Sequence, residues 1–142
     1  MTIPQWALLA FAVWTLLVLF GTVGVYRWSR ILKGQVPISA WQADQSQGSE
    51  WYRRAMRAHV NCVENLPVFA AIVYCATVAG ARGNLLDTLA LTVVAGRIGQ
   101  TTVHLSVIQT NAAASMRFSF FLLQVLGMSG MAVLAARAAA PF

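Results

Sequence analysis

The 142-residue sequence contains very few charged residues. Four residues are acidic and ten are Lys or Arg, so charged residues make up only 10% of the chain. A soluble domain needs about a quarter of its residues charged to cover its surface. The shortage excludes a soluble enzyme domain and a charged, disordered tail, and it favours an integral membrane protein.

Cysteine and the usual metal-binding patterns are also scarce. Cys62 and Cys75 are the only cysteines, and on one helix they lie about 20 Å apart, which is too far for a disulfide. The sequence has no Cys/His spacing typical of a metal site, no Gly-rich phosphate loop and no Ser/His/Asp set. We therefore expect neither a disulfide scaffold nor a metal cofactor.

Long apolar runs dominate instead. Hydrophobic residues make up 58% of the chain, and the mean hydropathy is +0.65. Since a helical span needs about 20 apolar residues, we predict four spans, at residues 5–28, 53–80, 85–108 and 116–137. The predicted fold is a single all-α domain over residues 1–142, an integral membrane four-helix bundle. No Lys or Arg precedes the first span, which is therefore interpreted as retained rather than as a cleaved signal peptide.

The distribution of the basic residues predicts the orientation of the bundle. Positive charge concentrates in the loops that face the cytoplasm. On one side of the membrane, the first loop and the turn before span four carry seven basic residues: Arg27, Arg30, Lys33, Arg53, Arg54, Arg57 and Arg117. The opposite side carries two, Arg82 and Arg137. We therefore predict that the N-terminus is outside and that the first loop and the Arg117 turn are cytoplasmic, at the inner membrane if the protein is bacterial. The net charge of +6 is explained by orientation, and no nucleic-acid partner is expected.

Two charges fall inside predicted spans. Glu64 lies in span two and Arg97 in span three, where a charge is costly and usually marks a functional site. Their opposite signs on antiparallel neighbours predict a buried ion pair. Such a pair could be only structural or could belong to a binding site, and both interpretations stay open at this point.

Polar residues around these charges share helix faces. At about 100° per residue, one face of span two carries Arg54, Arg57, Asn61 and Glu64, and one face of span three carries Arg97, Gln100, Thr101 and His104. Two facing polar stripes predict a polar cavity that opens to the cytoplasm and carries excess positive charge. Its expected ligand is anionic, with carboxylates that Arg can bind, while an apolar partner molecule could enter from the lipid.

Other interpretations of the polar residues are weaker. A haem held by His59 and His104 conflicts with the position of His59 on the opposite side of its helix. A small channel would need polar lining through residues 69–79, which are almost entirely apolar. Gly96 and Gly99 are predicted to allow close helix packing.

The segment of residues 57–69 resembles the signature of the MAPEG family, the membrane-associated proteins in eicosanoid and glutathione metabolism. The family pattern is Arg-Ala-x-x-Asn-x-x-Glu followed by Pro-x-Phe, and the matching residues are Arg57, Ala58, Asn61, Glu64, Pro67 and Phe69. The segment is most similar to the leukotriene C4 synthase branch. The resemblance extends to the four spans, the long first loop and the arginine midway along span three.

The resemblance implies a homotrimer that binds glutathione between adjacent protomers and reacts it with a lipophilic electrophile or lipid. By this resemblance, the glutathione-binding residues are Arg30 (or Arg27), Arg57, Asn61, Glu64, Arg97, Gln100 and His104. Arg117, taken to open span four, corresponds to the catalytic arginine that stabilises the glutathione thiolate. The implied function is a glutathione transferase or peroxidase of the membrane, and the alternative is a non-catalytic lipid-binding scaffold.

The sequence departs from the family pattern in three places. Gln100 and His104 replace tyrosines of the leukotriene branch. The number of residues between Arg97 and Arg117 is larger by several than in the family pattern. Phe118 and Phe121 lie near positions where some members of the family have Ser or Tyr. Conjugation, peroxide reduction and isomerisation therefore remain alternatives, and an Arg117 that faced lipid headgroups would favour the scaffold.

Overall fold

A computed structural model describes residues 1–41 and 48–140, and within these ranges the chain is helical without any strand. Helix α1 (Ile3–Val18) continues through a π-helical segment (Leu19–Gly24) into α2 (Val25–Leu32). The long helices that follow are α3 (Glu50–Val78), α4 (Asn84–Ser106) and α5 (Asn111–Ala139), and a short 3₁₀ turn covers Ile38–Ala40. The prediction of an all-α bundle is confirmed.

Local side chains explain where the helices begin. The Oγ of Ser49 accepts a hydrogen bond from the Tyr52 N–H at the start of α3, and Thr110 Oγ1 accepts one from the Ala113 N–H at the start of α5. Both residues thus satisfy a backbone donor that the first helical turn leaves free. Between α3 and α4, Gly80 and Gly83 adopt positive φ angles of 69° and 131°, which permit the tight turn.

The predicted start of the fourth span is wrong by about a turn and a half. The polar segment before residue 116 was expected to be a turn, but α5 already begins at Asn111 because Thr110 caps it. Arg117 is therefore the seventh residue of α5 and does not open the helix.

Three of the helical segments are long and apolar enough to cross a membrane: Ile3–Leu32, Glu50–Val78 and Asn111–Ala139. Helix α4, predicted as the third span, does not meet this criterion. Its composition is more polar because one of its faces carries the predicted stripe, and this face is buried inside the bundle: Arg97, Gln100, Thr101 and His104. Packing among the other helices shields these side chains from the surroundings.

Glycines allow α4 and α5 to approach closely. A Cβ atom on Gly96 would lie 2.9 Å from Gln124 Cγ and 3.3 Å from the Phe120 carbonyl oxygen, and one on Gly99 would lie 2.6 Å from the Phe120 ring. These distances leave no space for a side chain. The predicted packing role of Gly96 and Gly99 is confirmed.

The apolar core lies in the half of the bundle that is remote from the first loop. It includes Phe11, Phe69, Val93 and Met131, one from each long helix. At the first-loop end, Tyr26 of α2 stacks on Tyr52 of α3 with ring centroids 4.5 Å apart. Tyr52 belongs to a second, smaller apolar cluster at this end, together with Val23 and Ala55. Both cysteines are free thiols, as predicted.

Candidate functional site

An open cavity of about 390 Å³ lies at the first-loop end of the bundle. It is bounded by the start of α3, the end of α4 and the early turns of α5. Its lining residues are Glu50, Arg53, Arg54, Arg57, His104, Gln109 and Arg117. Four arginines against one glutamate make this cavity strongly basic. Of the two polar stripes that were predicted to form a cavity, Arg54, Arg57 and His104 line this one.

Arg117 is directed into the cavity and not toward the surroundings of the bundle. Its side chain lies largely inside the protein, with 9% relative exposure, and its Nη2 donates a hydrogen bond to Gln109 Oε1 at 2.7 Å. The dipole of α5 does not contribute at Arg117, because that effect is confined to the first turn and Arg117 lies beyond it. Any stabilisation of an anion here comes from the guanidinium itself.

Asn61 and His104 come together across the α3–α4 interface. Asn61 Nδ2 lies 3.2 Å from His104 Nε2. The amide donates to this ring nitrogen when the imidazole carries its proton on Nδ1. His104 lines the cavity, so the bond connects the predicted residue Asn61 to it.

Arg97 belongs to a separate buried network. Its Nη1 donates to Gln100 Oε1 at 3.0 Å, and the same oxygen accepts from Gln124 Nε2 at 3.1 Å. The guanidinium carbon also lies 5.4 Å from the centroid of the Phe11 ring, within range of a cation–π interaction. Gln100 is thus held in the α4–α5 interface, Arg97 lies between Gln100 and Phe11 of α1, and neither lines the cavity.

The ion pair predicted between Glu64 and Arg97 is wrong for the single chain. Within the described residues the only ion pair joins Arg54 to Glu50, at 3.8 Å within α3. Glu64 is exposed on the outside of the bundle, whereas Arg97 turns inward to Gln100. A carboxylate on the outer face of an apolar helix is costly in a membrane, so this face requires a polar partner.

Arg30 and Arg27 lie outside the cavity. The guanidinium carbon of Arg30 is 4.8 Å from the centroid of the Tyr26 ring, and Arg27 Nε donates to the Tyr52 hydroxyl. Both arginines pack on the aromatic cluster that joins α2 to α3. Within one chain, neither meets the residues of the predicted glutathione site.

Sequence analysis missed two residues that bond to the predicted polar residues: Gln109, which is exposed and lines the cavity, and Gln124, which is buried. Gln124 lies seven residues after Arg117 and so shares its helix face, which is a signal that could have identified it. Gln109 lies in an irregular connection, where no periodicity gives such a signal. Within residues 1–41 and 48–140, no group of three or more His, Cys, Asp and Glu side chains is arranged to hold a metal ion.

Comparison with known proteins gives one family match. The sequence model of the MAPEG family matches residues 5–137, which is nearly the whole chain. No curated protein matches the sequence significantly. The family match covers all five helices, the basic cavity and the residues 57–69 that resemble the family signature. The chain therefore belongs to the MAPEG family.

Proposed function

We propose that the protein is a membrane-bound glutathione transferase or peroxidase that uses Arg117 to stabilise the thiolate of glutathione. Membership in a family of glutathione and eicosanoid metabolism supports a function of this general type. The observation that carries the specific proposal is the buried Arg117 in the wall of a basic cavity.

The cavity suits glutathione in charge and size. Glutathione has two carboxylates, and Arg binds a carboxylate through two parallel hydrogen bonds. Arg53, Arg54 and Arg57 supply such groups along the α3 wall. A volume of about 390 Å³ is within the usual range for a small-molecule site.

The positive charge of Arg117 matches the need of the chemistry. A free thiol is mostly protonated at neutral pH, and the thiolate is the nucleophile. A guanidinium next to the sulfur favours the anion.

In conjugation, the thiolate forms a carbon–sulfur bond, the electrophile gives up a leaving group or opens a ring, and the thiol proton passes to solvent. In peroxide reduction, two glutathione molecules become the disulfide while the peroxide becomes an alcohol and water.

The second substrate is proposed to be lipophilic and to approach along α5. Met116, Phe118 and Phe121 are exposed within about one turn of Arg117. These apolar side chains would face lipid in a membrane, so a molecule dissolved in the bilayer can reach the edge of the cavity. Conjugation, peroxide reduction and isomerisation would all use this arrangement.

The functional unit is proposed to be a homotrimer with glutathione bound between protomers. Glu64 and Arg30 lie away from the cavity of their own chain, and a neighbouring protomer would bring such residues to a shared site. It would also cover the costly carboxylate of Glu64. Native mass spectrometry of the protein in detergent should give the mass of three chains, and a single-chain mass would contradict this assembly.

The decisive experiment follows the ultraviolet absorbance of the thiolate as glutathione is added to the purified protein. We expect a thiolate signal with the wild type, its loss in Arg117→Ala, and a fall in conjugation of a model electrophile by about 100-fold. Arg137→Ala is the matched control, because Arg137 is exposed at the opposite end of α5 and should behave as wild type.

Two outcomes would contradict the catalytic proposal. Absence of a thiolate signal in the wild type at saturating glutathione would overturn catalysis by an activated thiol. An unchanged signal in Arg117→Ala would overturn the role of Arg117.

The second candidate function is a non-catalytic lipid-binding scaffold. It is favoured by an apolar groove of about 390 Å³ between α3 and α5, lined by Ala71, Ile72, Cys75, Ala79, Ala132, Ala135, Ala136 and Ala139. A groove of this lining can accept an acyl chain. Under this alternative, the wild type would give no thiolate signal, and Ala135→Phe would weaken the binding of a spin-labelled fatty acid.

A further inference from the structure

The connection between α4 and α5 is short and fixed at both ends. The Val107 N–H donates to the Val103 carbonyl oxygen at 3.1 Å, and Thr110 caps α5 through the Ala113 N–H. Gln109 lies between these two anchors, is exposed and lines the cavity. Its backbone position is therefore defined by the ends of two helices.

The hydrogen bond that Arg117 donates to Gln109 joins the second turn of α5 to this connection. The Nη2–Oε1 distance of 2.7 Å is typical of a hydrogen bond donated by a charged guanidinium. An arginine side chain has considerable rotamer freedom, and an acceptor at this position selects the conformers that direct the guanidinium into the cavity.

The chemical nature of the acceptor matters as much as its position. Within the described residues, no carboxylate lies within ion-pairing distance of Arg117. The amide of Gln109 is neutral, so it orients the guanidinium and leaves its full positive charge available to a ligand. A carboxylate at the same position would orient Arg117 equally well but would offset its charge.

We propose that Gln109 is a positioning residue that holds the Arg117 guanidinium toward the glutathione sulfur without neutralising it. This inference rests on the proposed function of the cavity. Gln109 acts through Arg117, whose other N–H groups bind the thiolate. The connection between α4 and α5 thus sets how strongly the site stabilises a thiolate.

Two substitutions of Gln109 by residues of similar size distinguish the orientation of the Arg117 guanidinium from the effect of charge at position 109. Gln109→Met removes the acceptor and keeps the shape of the side chain, and Gln109→Glu keeps an acceptor and adds a negative charge. Ser106→Ala is the control, because Ser106 is exposed at the end of α4 and does not line the cavity. The probe is glutathione, and the measurements are the pH midpoint of thiolate formation and the separate kcat and KM values.

We expect Gln109→Met to lower kcat by about 10-fold, because a misdirected guanidinium no longer reaches the sulfur in the transition state. The KM for glutathione should change little, since Arg53, Arg54 and Arg57 still bind its carboxylates. Gln109→Glu should raise the pH midpoint by about one unit, because the added negative charge disfavours the thiolate.

The outcomes distinguish this inference from the proposed function. A wild type without a thiolate signal would overturn the proposed function and the role of Gln109 with it. A wild-type signal, together with midpoints and kcat values in both Gln109 variants equal to those of Ser106→Ala, would overturn only the role of Gln109.

Discussion

At the scale of single residues, the protein places a charged guanidinium and two amides where most membrane bundles have apolar side chains. Gln100 Oε1 accepts from both Arg97 and Gln124, so one oxygen serves two donors. Nε and Nη2 of Arg97 have no hydrogen-bond partner within the described part of the chain. An unpaired polar group is costly away from water, which makes the single acceptor of Gln100 important for stability.

The Gln100→Leu variant tests this network. We expect it to lower the free energy of unfolding by about 2–3 kcal/mol, because it leaves the buried Arg97 charge without its side-chain acceptor. Thermal unfolding in detergent should show a lower Tm. Thr102→Val is the control, since Thr102 is exposed on the same helix and its hydroxyl donates only to the Ile98 carbonyl oxygen.

The double variant Arg97→Leu/Gln100→Leu should recover stability relative to Gln100→Leu, because it removes the unpaired charge together with its acceptor. A Tm for Gln100→Leu equal to that of the Thr102→Val control would show that the network contributes nothing to stability.

At the scale of helices, the bundle is organised around α4. This helix is too polar to meet the hydropathy criterion of the other spans, and its polar face is buried against its neighbours. Close contact with α5 depends on glycine, which allows the backbone of one helix to approach the side chains of the other. The hydrogen bond from Gln124 to Gln100, which crosses between the two helices, can form only at this short separation.

The Gly96→Ala variant tests the close approach. Alanine favours an isolated helix over glycine by about 1 kcal/mol, but the clash of the new methyl with Gln124 and the Phe120 carbonyl should cost about 1–3 kcal/mol. We therefore expect a lower Tm in detergent.

Gly21→Ala is the matched control, because a Cβ atom there meets no atom within 4 Å, and its Tm should be equal to or above that of wild type. A Tm for Gly96→Ala that rises as in the control would contradict tight packing at Gly96.

At the scale of the whole molecule, charge is concentrated at one end. The basic cavity, the aromatic cluster with Arg27 and Arg30, and the first loop share the same end of the bundle, while the apolar core fills the other half. By the positive-inside rule the basic end is proposed to face the cytoplasm. The glutathione site would then open to the compartment in which thiols are kept reduced.

Cysteine labelling of intact cells tests the orientation. In a Cys62→Ser/Cys75→Ser background, Lys33→Cys and Arg82→Cys would mark the two ends of the bundle, because Lys33 ends α2 and Arg82 lies in the α3–α4 turn. A membrane-impermeant maleimide should label Arg82→Cys on intact cells and Lys33→Cys only after permeabilisation. The cysteine-free parent should remain unlabelled, and the inverse pattern would show that the orientation is reversed.

The amino-acid composition and pattern were sufficient to predict the class of the fold and one polar helix face. The small number of charged residues and the long apolar runs can be seen in the sequence without knowledge of contacts between helices, and they predicted a helical membrane bundle. Helical periodicity is also local, and it placed Asn61 near the basic residues of α3. The start of α5 could have been predicted from Thr110, a residue type that commonly caps helices, but the polar residues that follow it were interpreted as a turn.

Which polar side chains contact one another became clear from the packing of the helices. Arg97 was predicted to pair with Glu64, but it binds Gln100 in the α4–α5 interface, while Glu64 is left on the outer face. Arg117 receives its orientation from Gln109, which lies in a segment without periodicity. The direction of a long side chain depends on the space and partners that neighbouring helices provide, so spacing along one helix does not decide which of several possible partners is bound.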